Sequence, residues 1–305
     1  MSVRKERNPL LSALMIMAFC FVSFLGFVGF LAWNFKGEAN FSFDGRGSLK
    51  GDVAVVEVEG VILDVKPTLK LLKRLEKEED VRSVVVRIDS PGGAVGPSQE
   101  LFEALKRLDQ KKPVVASLGT VAASGGYYTA LGARKIVSNP GTLTGSIGVI
   151  MEFADLSELF KWAKMSPYLI KGGKYKDIGN PNRQMTAEEK ELLQTTVNDV
   201  HRQFKEAVAK RRDLPMPVVD QLADGRVYSG RQALEAKLVD ELGGLEVAIG
   251  IAAKLAGVEG DDLKVVYPPK EMRLYFEKFF EGIFRGAAKG MAPIVKETLQ
   301  GQSMR

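Results

Sequence analysis

The sequence predicts an α/β fold, a parallel sheet built from repeated β-α units, carried behind one N-terminal transmembrane helix. Three observations predict it. Short apolar runs rich in Val and Ile alternate with amphipathic segments from residue 53 onward, the pattern of strands buried on both faces by crossover helices. Glycine-rich segments follow several of those runs, where a parallel sheet turns from strand into helix. Finally, Pro9 to Trp33 contains no charged residue and exceeds the roughly 20 residues that cross a hydrocarbon core.

The elements follow in order. Residues 1–8 are expected to be cytoplasmic, because Arg4, Lys5 and Arg7 precede the apolar run and only Lys36 follows it closely. Residues 9–33 form the anchor, with Trp33 at the interface. A cleaved signal peptide would have a shorter apolar region and small residues at the cut, whereas this run leaves through Leu31-Ala-Trp-Asn34. Everything C-terminal is then expected outside the cytoplasm. Residues 34–52 are polar and glycine-rich, a linker. Within 53–269, strands are expected at Val53–Leu63, Val84–Ile88, Val114–Leu118, Ile136–Ser138, Ser146–Ile150 and Leu263–Tyr267. Helices are expected at Thr68–Lys77, Ser98–Leu108, Ser124–Leu131 and Leu245–Ala256. Another starts at the capping box Thr186-Ala-Glu-Glu189 and runs on the stripe Leu193, Val197, Val200, Phe204, Val208 to about Lys210. Asp224–Gly230 reads as a turn and short strand. Residues 270–305 form an aromatic-rich tail with Phe276, Phe279, Phe280 and Phe284 among basic residues, for which core packing, assembly and a membrane surface all remain open.

Composition narrows the chemistry. The chain has 305 residues, 45% of them apolar, and a net charge of +5. Its basic residues alternate with acids along helices and form no block interleaved with aromatics, which argues against nucleic-acid binding. Cys20 and His201 are the only residues of their kinds, so an internal disulfide and the common zinc constellations are out of reach. No cofactor is expected.

Three segments carry the remaining chemical signal: Asp89-Ser-Pro-Gly-Gly-Ala94, Ala122-Ala-Ser-Gly-Gly126 and Gly141-Thr-Leu-Thr-Gly-Ser-Ile-Gly148. Glycines at strand ends let a ligand's backbone come close and turn amides outward. Gly92 and Gly93 would supply donors to an oxyanion, and Ser124 would stand at a helix start, where developing negative charge is favoured. A serine nucleophile needs a base. His201 falls mid-helix beside an apolar stripe, where a surface or subunit-contact role suits it better. A lysine is therefore the base to look for, and Lys176 in Gly173-Lys-Tyr-Lys-Asp-Ile-Gly179 is the leading candidate. A free lysine titrates near 10.4 and must lose its charge to act. Lys171 and Lys174 would favour that if close, while Asp177 would oppose it if paired with Lys176.

Together with Asp224-Gly-Arg-Val-Tyr228 and Asp240-Glu-Leu-Gly-Gly244, these motifs resemble, over about Val53 to Gly244, the bacterial signal peptide peptidase A (SppA) family of membrane-anchored Ser–Lys proteases, in its short single-repeat form. The resemblance implies a ClpP/crotonase-like fold, with Ser124 as nucleophile and Lys176 as general base. It further implies the Gly93 amide in the oxyanion hole and Ser146 hydrogen-bonded to the lysine. Gly92, Ala123, Gly125 and Gly145 would border an extended peptide substrate, remnant signal peptides above all. It also implies a ring-like homo-oligomer with active sites shared between neighbours. Two other readings compete: a catalytically inert, membrane-anchored peptide-binding scaffold, and a crotonase-type acyl-CoA enzyme, which the anchor and the absence of any CoA-site cue disfavour.

Overall fold

The computed structural model describes residues 49–258 and 262–268; the apolar run 9–33 and the aromatic tail lie outside them. No helix among the described residues is long and apolar enough to cross a membrane.

The sheet has eight strands: β1 (Val53–Glu59), β2 (Ser83–Ser90), β3 (Val114–Ala123), β4 (Lys135–Ser138), β5 (Leu143–Gly145), β6 (Val227–Ser229), β7 (Glu241–Leu242) and β8 (Val265–Val266). The main path runs β6-β5-β3-β2-β1-β8, with β4 also paired to β3 and β7 paired to β4. Every pairing is parallel except β5 with β6. Strand β3 forks. Its first half pairs with β4 (Val115 to Leu118) and its last three residues with β5 (Val121 to Ala123). Thr142 donates its hydroxyl to Gly119 O at 2.6 Å where the fork opens.

Side chains alternate across the strands with a period of two. Ala54, Val56, Val84, Val86, Ile88, Val114, Ala116 and Leu118 face one layer; Val53, Val55, Val85, Val115 and Val137 face the other. The first layer is closed mainly by α1 (Lys66–Leu75), α2 (Val95–Asp109) and α3 (Gly125–Ala130). The second is closed by α8 (Leu245–Leu255) through Ala248, Ile249, Ala252 and Ala253. Four further helices are α4 (Ser157–Trp162), α5 (Ala187–Arg212), α6 (Met216–Leu222) and α7 (Gly230–Glu235).

The expected α5 begins at its capping box: Thr186 Oγ1 accepts from Glu189 N–H at 3.2 Å, and the Glu189 carboxylate accepts from Thr186 N–H at 2.9 Å. At 26 residues it is about 39 Å long, yet its buried residues are only Glu189, Phe204 and Val208. Its C-terminal half packs on the core while most of its N-terminal half meets solvent. Two expectations need correction. The strand placed at Ser146–Ile150 is instead β5, three residues earlier, because Gly145 (φ 76°) and Ser146 (φ 47°) take left-handed conformations that turn the chain out of the sheet. The strand expected to reach Leu63 ends at Glu59, and only Ile62 pairs again, in an isolated bridge to Gly93.

Candidate active site

The three glycine-rich segments meet because their strands are neighbours: Asp89–Ala94 closes β2, Ala122–Gly126 closes β3, and Gly141–Gly148 contains β5, which pairs with the end of β3. Ser124 sits between β3 and α3 at φ 52°, ψ −120°, a sharp strand-to-helix turn of the nucleophile-elbow kind. Its N–H donates to Gly145 O at 2.8 Å, and its carbonyl accepts from Tyr128 N–H at 2.8 Å. The hydroxyl takes no part in capping α3. The backbone is thus pinned on both sides, which leaves a half-buried hydroxyl for other work.

Gly92 must be glycine. At φ 106°, a Cβ there would lie 2.8 Å from Gly125 N and 2.9 Å from Ser124 Cβ. The Ser-Pro-Gly-Gly loop therefore lies directly on the serine turn. Gly93 is held by its neighbours' peptides: Ile62 N–H donates to Gly92 O, and Ala94 N–H donates to Ile62 O, both at 2.9 Å. In such a parallel bridge the central residue turns its own N–H away from the partner strand. That face of Gly93 looks toward α3, since a Cβ built on Gly125 would stand 3.2 Å from Gly93 N. Ser124, Gly93 and Gly125 line one small cleft of about 30 Å³. The rest of its wall is Val95, Ser98, Tyr128, Gly148, Val149, Val200 and Phe204. Phe204 and Tyr128 stack tilted at 4.7 Å, and Tyr128 meets Phe102 edge-on at 5.2 Å, which fixes that wall.

The other expected residues lie as follows. Ala123 is buried at the end of β3, and Gly145 contacts the serine turn through its carbonyl. A Cβ on Gly145 would strike the Tyr228 ring at 2.5 Å. Ser146 follows directly, anchored by its N–H to Arg226 O at 2.9 Å. Lys176 stands apart: it is exposed on a turn, its N–H bonded to Gly173 O at 3.3 Å, and it does not line the cleft. Among the described residues no hydrogen bond joins it to Ser124. Asp177, its chain neighbour, accepts instead from Arg183 Nε at 2.9 Å and from Lys171.

The cleft-lining Val200 and Phe204 lie on the apolar stripe of α5, where a core stripe and a cleft wall give the same spacing. Nothing in a sequence pattern separates those roles. His201, beside them, donates Nε2–H to Ile147 O at 3.2 Å and so braces the segment after Ser146 rather than the serine. Glutamine reaches a similar donor position, so His201→Gln is expected to leave the pH profile of hydrolysis unchanged. An acid limb displaced in that variant would make the histidine part of the proton-transfer machinery.

A parallel sheet that ends its central strand on this serine turn, against a glycine loop with its amide facing a cleft, has the architecture of an α/β peptidase of ClpP-like type. Residues 106–259 match the family model described as peptidase family S49. The chain belongs to that family, the SppA peptidases. It is 44% identical over 231 residues to a Synechocystis sp. protein named as a candidate protease, spanning 74% of this chain and 83% of the relative. A candidate protease of Methanocaldococcus jannaschii is 37% identical over 233 residues, 76% of this chain and 74% of the relative. The chloroplastic serine protease SPPA of Arabidopsis thaliana is 33% identical over 213 residues, 70% of this chain but 32% of the longer relative.

Proposed function

We propose that this peptidase is a membrane-anchored serine endopeptidase in which Ser124 attacks the scissile carbonyl and Lys176 takes its proton. The observation that carries the reading is the Ser124 turn: a strained backbone, an uncommitted hydroxyl and the Gly93 amide at one cleft. On attack, the carbonyl oxygen gains negative charge that Gly93 N–H stabilises. Lys176 accepts the serine proton on its amine and returns it to the leaving amine. Ser146, one residue from the carbonyl that holds Ser124, hydrogen-bonds the lysine amine. The bound peptide runs extended past Gly92, Ala123, Gly125 and Gly145. A cleft of about 30 Å³ with Val95, Val149 and Val200 in its wall has room for about two waters, which suits small apolar residues of the kind that end signal peptides. The substrates are remnant signal peptides and similar apolar chains. The uncharged run 9–33 holds the enzyme in the bacterial cell membrane as a single pass, N-terminus in the cytoplasm and peptidase outside.

The lysine comes from a neighbouring subunit of a ring-like homo-oligomer. Residues 150–170 favour this: Ile150, Trp162, Tyr168 and Ile170 are 86%, 82%, 95% and 101% exposed in the single chain. Large apolar side chains in such density on a surface mark an interface. Mixing Ser124→Ala with Lys176→Ala subunits tests the arrangement. A site shared in trans regains part of the wild-type activity in the co-assembled mixture. A mixture as inactive as both parents means that the dyad forms within one chain. Labelling by a fluorophosphonate probe separates the enzyme from an inert scaffold or an acyl-CoA enzyme: wild type is expected to label, and both variants to fail.

A further inference from the structure

We propose that Arg183 is a positioning residue for the base: by binding Asp177 and Glu189 together it keeps carboxylates off Lys176. The inference rests on the reading of Lys176 as general base and adds what holds it ready.

Between Lys171 and Glu189 the chain carries four cations (Lys171, Lys174, Lys176 and Arg183) and three carboxylates (Asp177, Glu188 and Glu189). Each carboxylate is engaged by something other than Lys176. Asp177 accepts from Arg183 Nε at 2.9 Å and from Lys171. Glu189 takes both terminal guanidinium nitrogens, at 2.6 and 2.8 Å, and its own N–H and that of Thr186 complete the capping box. Glu188 accepts from Lys174 at 2.6 and 2.7 Å and from the Tyr175 hydroxyl. Arg183 spends its two remaining donations on Gln184 O and Asp177 O, at 3.1 and 3.3 Å, so the guanidinium makes five hydrogen bonds with its five N–H donors. The Asp177 and Glu189 side chains are only 8% and 6% exposed, so this is a packed fork rather than a fluctuating surface pair. Hydrogen bonds from Arg183 and then Lys171 hold the Asp177 carboxyl far below the usual range; Arg183 and then Thr186 do the same for Glu189. Among the described residues, Lys176 is the cation of this segment left without a side-chain partner.

The segments packed against this turn supply no substitute acid. Phe153 abuts Gly179, and Leu156 N–H bonds Pro181 O. In that stretch Asp155 accepts from Ser157 N–H at 3.0 Å, Glu158 pairs with Lys161 at 2.8 Å, and Glu152 is exposed. On α5, Lys190 and Glu191 beyond the first turn are exposed. Asp177 is the next residue in the chain. A base lysine must be neutral when it accepts a proton, and a carboxylate within about 4–6 Å favours the ammonium by roughly 1–3 pH units. The fork removes that opposition.

The test is kcat/KM against pH on a fluorogenic peptide, using the full-length protein in detergent, for wild type, Arg183→Gln, Asp177→Asn, the double variant and Lys176→Ala. Releasing Asp177 by Arg183→Gln is expected to move the acid limb up by about one pH unit. Adding Asp177→Asn is expected to return it to about the wild-type position, and Asp177→Asn alone to leave it there, because the fork already withholds that carboxylate. An Arg183→Gln limb that stays in place while the rate falls at all pH values makes the fork merely structural and overturns the proposal. So does an upward shift that survives in the double variant. If Arg183→Gln does not fold, Arg183→Lys decides: it keeps the charge but cannot bridge Asp177 and Glu189 as a fork, so an unmoved limb there overturns the proposal equally. Wild-type activity in Lys176→Ala sinks the base assignment itself. An inactive Lys176→Ala beside unmoved limbs sinks only the role of Arg183.

Discussion

Ser124→Ala is expected to reduce hydrolysis of casein or a fluorogenic peptide by at least about 10⁴-fold, to background, while leaving the thermal midpoint in place. The size follows from the role. Removing a nucleophile costs about as much as removing the whole set of groups that act with it. The unchanged stability follows from the turn. A residue at φ 52°, ψ −120° carries strain of about 1–3 kcal/mol, which serine and alanine share because it comes from the backbone and Cβ. The two bonds that pin the turn, to Gly145 O and from Tyr128 N–H, are main-chain and survive. Ser124→Gly makes a sharper comparison. It should be as inactive, yet no less stable, because relief of the strain outweighs the added freedom of the unfolded chain, about 0.4–1 kcal/mol. Activity in either variant above background would remove Ser124 from the mechanism.

Lys176→Arg is expected to be as inactive as Lys176→Ala. Arginine keeps the charge and the reach, but its guanidinium does not give up a proton in a protein, so it cannot accept one from serine. The substitution is benign to the fold, because Lys176 is exposed and its side chain holds no partner among the described residues. Its thermal midpoint should therefore match the wild type, which separates a chemical defect from a folding one. Turnover by the arginine variant at even a tenth of the wild-type rate would exclude a lysine base.

Much of this architecture was legible in the chain. The runs around Val84–Ile88 and Val114–Leu118 are strands because mainly apolar, Val-rich residues, broken only by Arg87 and Ser117, suit a sheet covered on both faces. The Thr186 capping box marked the start of α5 to the residue. Convergence of the three glycine segments was readable because each follows or contains a strand. The fork of β3 was not, since β5 is only three residues long and its pairing to Val121–Ala123 is a long-range contact with no local signal. The run Ser146–Ile150 has strand composition, but the left-handed Gly145 and Ser146 redirect it, and a non-glycine residue at positive φ leaves no mark in sequence. The apolar residues of 150–170 look like core by composition alone. Which partner an ion chooses was equally hidden: Lys176-Asp177 reads as an adjacent pair, while Arg183, six positions on, takes the aspartate.

The neighbourhood of the first and last strands has a practical consequence. Val53 and Val265 are paired in register, and Asp52 N–H donates to Lys264 O at 2.7 Å, so the polypeptide enters and leaves the sheet side by side. Both passages lie at the end where β1, β2 and β3 begin, whereas Ser124 follows the last residue of β3. Ten residues at about 3.3 Å each put roughly 33 Å between those two levels. A short bridge joining these two passages, with new ends opened at the exposed Glu79-Asp80 between α1 and β2, would give a circularly permuted peptidase whose serine turn and Lys176 turn are untouched.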